Sequence, residues 1–65
     1  MIVKNFSIGG MAVQMAEADD KYYVSFIAGG TEQRELVFGS YAHASLVFNQ
    51  WVENICFIME HNHKF

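Results

Sequence analysis

Positive charge is scarce in this sequence. Four lysines and arginines stand against seven acidic residues, which gives a formal net charge of −3 at pH 7. The cations do not cluster; they are Lys4, Lys21, Arg34 and Lys64. Nucleic acids and anionic membranes are bound through clustered Lys and Arg, so nucleic acid is an unlikely partner and we expect no membrane binding.

Cysteine occurs once, at Cys56. A single cysteine excludes an internal disulfide and fits a reducing compartment. No apolar run is long enough to cross a bilayer. The first residues also lead directly into a strand pattern, without the basic and apolar regions of a secretory signal. We therefore expect a cytoplasmic protein.

What the chain does contain is apolar: 52% of its 65 residues are hydrophobic and 15% are aromatic. This composition is that of a folded chain, and the length predicts a single compact domain, 1–65, without linkers or repeats. A domain of this size buries little of its surface and is only marginally stable alone. Burial of apolar area against a second copy is a common remedy, so we expect a homodimer.

The longest periodic pattern lies near the C-terminus and predicts an α-helix from an N-cap at Ser40 to about His61. Its apolar residues fall in one arc at about 100° per residue. They are Tyr41, Ala44, Val47, Phe48, Trp51, Val52, Ile55, Ile58 and Met59.

The first forty residues alternate with period two, which predicts four β-strands. The predicted strands are 2–8, 11–17, 22–28 and 32 or 33–38. Gly9-Gly10 and Asp19-Asp20 are predicted two-residue turns, and Gly29-Gly30-Thr31 a three-residue loop. These loop lengths put nine apolar residues on one face: Phe6, Ile8, Met11, Val13, Met15, Val24, Phe26, Leu36 and Phe38. We expect the helix to cover that face, in an α+β fold with a four-stranded antiparallel meander and one C-terminal helix.

The opposite sheet face is predicted to be mixed rather than charged. It includes Val3, Tyr23, Ile27 and Val37, together with small and polar residues among which Gln33 is counted. Such a face is either an ordinary exposed surface or an interaction surface.

The polar side of the helix offers a second candidate surface. Leu46 and Phe57 project there eleven positions apart, with the polar Gln50 between them. They are either scattered surface apolars or a contact stripe for a partner. The candidate partner-binding residues on the two surfaces are Leu46, Gln50, Phe57, Tyr23, Ile27 and Val37.

A catalytic or metal site finds little support. Cys56, Glu60, His61 and His63 supply sulfur, oxygen and nitrogen donors near one another, but without the strong C-x-x-C or H-x-x-x-H spacings. Activation of Cys56 as a nucleophile needs a base nearby, and His43 is more than three helical turns away. We therefore expect no enzyme activity, no cofactor, no metal and no catalytic residue.

A strand meander followed by a helix is similar to the dimeric single-stranded-DNA-binding transcriptional coactivator fold. Two short fragments resemble that family: Phe6-Ser7-Ile8-Gly9 and Gln50-Trp51. The resemblance implies DNA binding by a basic, aromatic sheet face, and here that face has no cluster of Lys or Arg. Because the architecture is similar, we keep a single-stranded nucleic-acid-binding dimer as the alternative function.

The sequence favours a small non-enzymatic protein-binding module that acts by docking on itself or on a host protein. Very small acidic domains without a set of catalytic residues are common among accessory and inhibitory proteins of phages and mobile elements. By this association we expect the chain to be such an accessory or inhibitory protein.

Overall fold

The computed structural model describes residues 1–62 and contains four β-strands followed by one α-helix. The elements are β1 (Ile2–Ile8), β2 (Met11–Ala18), β3 (Lys21–Ala28), β4 (Thr31–Phe38) and α1 (Tyr41–Asn62). The strands form one antiparallel sheet in the order β1-β2-β3-β4, so each strand pairs with its neighbour in sequence. The predicted fold class is confirmed: α1 packs on one face of an open meander.

All three hairpins turn through two residues with positive φ. The pairs are Gly9-Gly10, Asp19-Asp20 and Gly29-Gly30. Two positive φ angles define the type I′ turn, whose twist matches that of the flanking strands. Glycine adopts this conformation without a steric penalty, but Asp19 and Asp20 hold it at φ 52° and 63° with a side chain in place.

The second turn should therefore be improved by glycine. We expect Asp20→Gly to raise the free energy of unfolding by about 0.5–1 kcal/mol, because the second position of a type I′ turn favours glycine. Urea denaturation measures the change. Gly30→Asp is the reverse control, since a Cβ at Gly30 would have nothing within 4 Å and only the φ of 79° is tested. A less stable Asp20→Gly protein would contradict the assignment of strain to this turn.

The predicted register is confirmed for the pairs that define the core. Phe6 lies opposite Val13, and Val24 lies opposite both Met15 and Leu36. Each strand therefore turns its apolar set toward α1, because side chains alternate between the two faces of a sheet.

The third connection differs from the prediction. It is a two-residue turn followed by a β-bulge, not a three-residue loop: Phe26 pairs with Arg34 and Ile27 with Glu32, so Gln33 is the extra residue. The Gln33 Nε2 donates to the carbonyl oxygens of Ala28 at 3.4 Å and Thr31 at 3.2 Å. These bonds tie the bulge to the turn. The bulge adds the same one residue as a longer loop, so the register beyond it is as predicted.

A second irregularity lies in β1, at the other edge of the sheet. Ile2 pairs with Ala16 and Lys4 with Met15, so Val3 is the extra residue there. Both edge strands are thus interrupted by a bulge, while the β2–β3 pairing at the centre is continuous.

The core lies between α1 and the sheet, as predicted. Val13, Met15 and Val24 are fully buried on the sheet side. Ala44, Phe48 and Ile55 are buried on the helix side. Partly buried residues extend this cluster: Phe6, Ile8, Met11, Tyr22, Phe26, Phe38, Val47, Trp51 and Val52.

The predicted helical arc needs one correction, at its margins. Tyr41 and Ile58 are each 44% exposed. Tyr41 begins α1, packs edge-on with the Tyr22 ring at a centroid distance of 5.7 Å, and has the Lys4 ammonium 5.3 Å from its own ring centroid. Ile58 sits where α1 borders a surface groove. The N-cap is confirmed, since the His43 N–H donates to the Ser40 Oγ at 3.2 Å.

Candidate interaction surfaces

The sheet face that points away from α1 is called the open face. Strand pairing arranges its side chains in three rows across the sheet. The apolar row is Ile2, Ala16, Tyr23 and Val37. The polar row is Asn5, Gln14, Ser25 and Glu35. The third row is Ser7, Ala12, Ile27 and Glu32.

The apolar row crosses all four strands without a charged residue. Its ends are the most open, with Ile2 60% and Val37 51% exposed. Tyr23 and Ala16 between them are half-buried by their neighbours. The structure therefore joins three of the predicted partner-binding residues on one surface: Tyr23 and Val37 as cross-strand neighbours, and Ile27 two rows away on β3.

The polar row is closed to solvent at its centre. Ser25 is 8% exposed although it faces outward, and its Oγ donates to Glu35 Oε2 at 3.4 Å. Across the three rows the charged side chains are Glu32 and Glu35. Lys21 lies beyond the rows, opposite Ala18 beside the Asp19-Asp20 turn. The open face is therefore weakly acidic and largely uncharged.

The other three predicted residues lie on the solvent side of α1, away from the sheet. Leu46 is 56% and Phe57 59% exposed, and Gln50 between them is exposed as well. Eleven residues at 1.5 Å per residue put Leu46 and Phe57 about 16 Å apart. The ring of His61 stacks on Phe57 at a centroid distance of 3.8 Å, and its Nδ1 lies 3.0 Å from the Phe57 carbonyl oxygen. These side chains form separate spots rather than a continuous patch.

A groove that sequence reasoning missed runs between β4 and the C-terminal half of α1. It has a volume of about 210 Å³ and is lined by Phe26, Arg34, Trp51, Asn54, Ile55 and Ile58. The Arg34 guanidinium lies 5.9 Å from the centroid of the Trp51 ring, over its face. The signal was present in the alternation, which puts Arg34 on the α1 side with Leu36 and Phe38. The groove is small and open, so it is a shallow depression at the edge of the core rather than an enclosed pocket.

Of the groups considered for chemistry, Cys56 and Glu60 border one shallow hollow, whereas His43 lies near the other end of α1. Cys56 is half-buried beside Ile8 and Met59, and the His43 ring leans on Phe38 at 6.4 Å. Within residues 1–62 no three His, Cys, Asp or Glu side chains are grouped to hold a metal ion. His63, the other half of the H-x-H pair, lies outside the described residues.

One tyrosine near the Asp19-Asp20 turn has a shifted pKa. Partial desolvation raises the pKa of Tyr22 above its ordinary value, and the carboxylate of Glu17, its partner across the β2–β3 pair, adds to the effect. The shift moves the phenol further from acid–base chemistry at neutral pH.

No helix in the described part of the chain combines the length and the apolar character needed to span a membrane. Comparisons with protein-family models, curated proteins and solved structures found no match to this chain.

Proposed function

We propose that this chain is a non-enzymatic protein-binding module that docks through its open face. The observation that carries the proposal is the apolar row, which crosses all four strands on a sheet face that no described residue covers. A two-layer fold leaves one face of its sheet to solvent, and that face is ordinarily polar. Here the charged residues of the three rows are confined to β4, and Lys21 lies beyond the rows at the start of β3.

The chemistry of the open face is that of a protein interface. The centre of such interfaces is depleted in charge and enriched in aromatic residues, and hydrogen-bonding groups surround it. Tyr23 supplies an aromatic anchor with a hydroxyl group, and the amides of Asn5 and Gln14 supply donors and acceptors nearby. An accessory or inhibitory role, in which occupation of the partner's surface is itself the activity, fits such a module.

The two other surfaces support docking less well. On α1, Leu46 and Phe57 are separated by polar residues, and one face of the Phe57 ring is covered by His61. The groove beside Arg34 holds about 210 Å³, a volume suited to one side chain rather than to a protein surface. Neither carries a row of adjacent uncharged side chains that crosses several elements, as the open face does.

Binding of single-stranded nucleic acid remains the alternative, and the charges of the open face count against it. A groove for single strands combines cations along the phosphate backbone with several stacking aromatics. The three rows carry Glu32 and Glu35, no cation and one aromatic residue, Tyr23. A gel-retardation assay at low salt is expected to show no shift of a single-stranded oligonucleotide, because binding of this kind is strongest there.

Site-specific photo-cross-linking tests the proposal. A benzophenone amino acid is placed at Tyr23 in one variant and at Gln50 in the other, and each is irradiated in cells that produce the chain. We expect covalent adducts with protein from position 23, because that side chain lies within the apolar row, and few from position 50. Adducts from position 50 alone would move the docking surface to α1. Adducts from neither position would contradict the proposed function.

A further inference from the structure

We propose that the partner on the open face is a second copy of this chain, related by a two-fold axis that runs parallel to the strands between β2 and β3. This inference rests on the proposed function and names its partner. It follows from how large and small side chains are distributed over the four strands of the open face.

The axis determines which residues meet. A half-turn about a line parallel to the strands keeps each row in place, but it puts β2 over β3 of the second copy and β1 over β4. Ala16 then faces Tyr23 of the second copy, and Ala12 faces its Ile27. At the ends of the apolar row, Ile2 faces Val37.

These pairs are complementary in volume. On the open face β2 presents Ala12 and Ala16 in the two rows where β3 presents Ile27 and Tyr23. Each large side chain of one copy thus enters the space left by a small side chain of the other. Interfaces of this kind reach the packing density of protein interiors, where voids and overcrowding both destabilise.

The positions of the acidic residues on the open face are also compatible with this axis. Glu35 faces the amide of Asn5 in the second copy, and Glu32 faces the hydroxyl of Ser7. Neither carboxylate meets a carboxylate, so the axis avoids like-charge pairs and offers each acid a hydrogen-bond donor.

The other two-fold arrangement of stacked faces packs worse. An axis perpendicular to the strands puts β2 over β2 and β3 over β3, and it exchanges the apolar row with the third row. Ala12 would then face Ala16, which leaves a void. Tyr23 would face Ile27, which overcrowds the neighbouring strand.

The available area is sufficient only if the whole face is used. Four strands about 4.8 Å apart and about 25 Å long have a flat footprint of roughly 500 Å². Two copies then bury roughly 1,000 Å² in total, and this flat estimate leaves out the extra surface of the side chains. A specific interface must exceed about that area. A contact limited to one row would fall below it.

Sedimentation equilibrium tests the association. The chain has a mass of 7.4 kDa, so the dimer is expected near 15 kDa, with a monomer fraction that grows on dilution. Tyr23→Asp buries a charge at the centre of the interface and should raise the dissociation constant by at least about thirtyfold. Gln50→Asp on the outer side of α1 is the matched control and should leave it unchanged. Circular dichroism establishes that both variants are folded.

Cross-linking tests the axis. Asn5 and Glu35 are exposed, and they lie in the same row on opposite edges of one sheet, about 14 Å apart. In a Cys56→Ala background, a mixture of Asn5→Cys and Glu35→Cys chains should be joined by a short bis-maleimide, because these positions face each other across the proposed axis. Neither variant alone should cross-link. Cross-linking of Asn5→Cys with itself would identify the perpendicular axis and overturn the proposal.

A volume swap gives an independent result. Ala16→Tyr alone should abolish the dimer, because two tyrosines then collide, whereas Ala16→Tyr combined with Tyr23→Ala should restore it. No restoration would overturn the pairing of β2 with β3.

A monomer at every concentration overturns the inference. If photo-cross-linking at position 23 then still captures another protein, the proposed function survives with a different partner. If position 23 captures nothing, both fail.

Discussion

Val13→Asp is expected to unfold the protein, whereas Gln14→Asp, one residue later, is expected to leave it folded. Val13 has no exposed surface and lies between Phe6 and Phe26 on the side of the sheet that faces α1. An unpaired carboxylate buried there costs several kcal/mol. A 65-residue domain has a total stability of roughly 3–10 kcal/mol, so the native state is largely lost. Gln14 points to the open face, where the carboxylate reaches water.

Far-ultraviolet circular dichroism and urea denaturation, both at high dilution, measure the two variants. The comparison tests which face of the sheet is buried, because the two positions are neighbours on β2 and their side chains point to opposite faces. Val13→Ala is a milder change at the same position, because it removes apolar volume without adding a charge. It should retain the fold with a smaller free energy of unfolding. A folded Val13→Asp protein would mean that the inside and outside of the sheet are exchanged.

Phe48→Ala is expected to lower the free energy of unfolding by about 3–5 kcal/mol, and Phe57→Ala by less than about 1 kcal/mol. The two phenylalanines lie on the same helix, but Phe48 is 7% exposed and Phe57 59% exposed. Phe48 packs in the core, and the Lys4 ammonium lies 5.5 Å from its ring centroid. Its removal leaves a cavity at the one aromatic side chain among the buried hydrophobic residues of 1–62.

Urea denaturation measures the pair, with the slope of the transition as a check that both variants unfold in one step. The Lys4 side chain has a second contact with α1, which the Phe48→Ala substitution does not remove. Lys4 Nζ also donates to Ser45 Oγ at 2.9 Å, so β1 remains tied to α1 in the Phe48→Ala protein. Equal losses in the two variants would contradict the position of the core.

Most of this fold could be predicted because local rules agreed with one another. Alternation gave each strand an apolar side, and the turns then brought Val13, Val24 and Leu36 to a common face. The bulge at Gln33 could not be foreseen in the same way. A three-residue loop and a bulged two-residue turn produce the same register, and they differ only in where the Gln33 amide finds its acceptors.

The candidate surfaces were less predictable because they depend on contacts between distant side chains. Spacing along α1 aligned Leu46 with Phe57, but it could not show that His61 stacks on Phe57. The continuity of the apolar row depends on Ile2, which lies opposite Ala16 only because Val3 is an extra residue in β1. The groove at Arg34 and Trp51 likewise needs two elements that are far apart in the chain.

The bulges at Val3 and Gln33 affect how an assembly of this chain can grow. An uninterrupted border strand is a template onto which further chains can add, and such addition continues without limit as a fibre. Both borders of this sheet are broken, so side-by-side extension is disfavoured. In the dimer that we propose, each copy would cover the open face of the other, so no open face would be left for a third copy and growth would end at two.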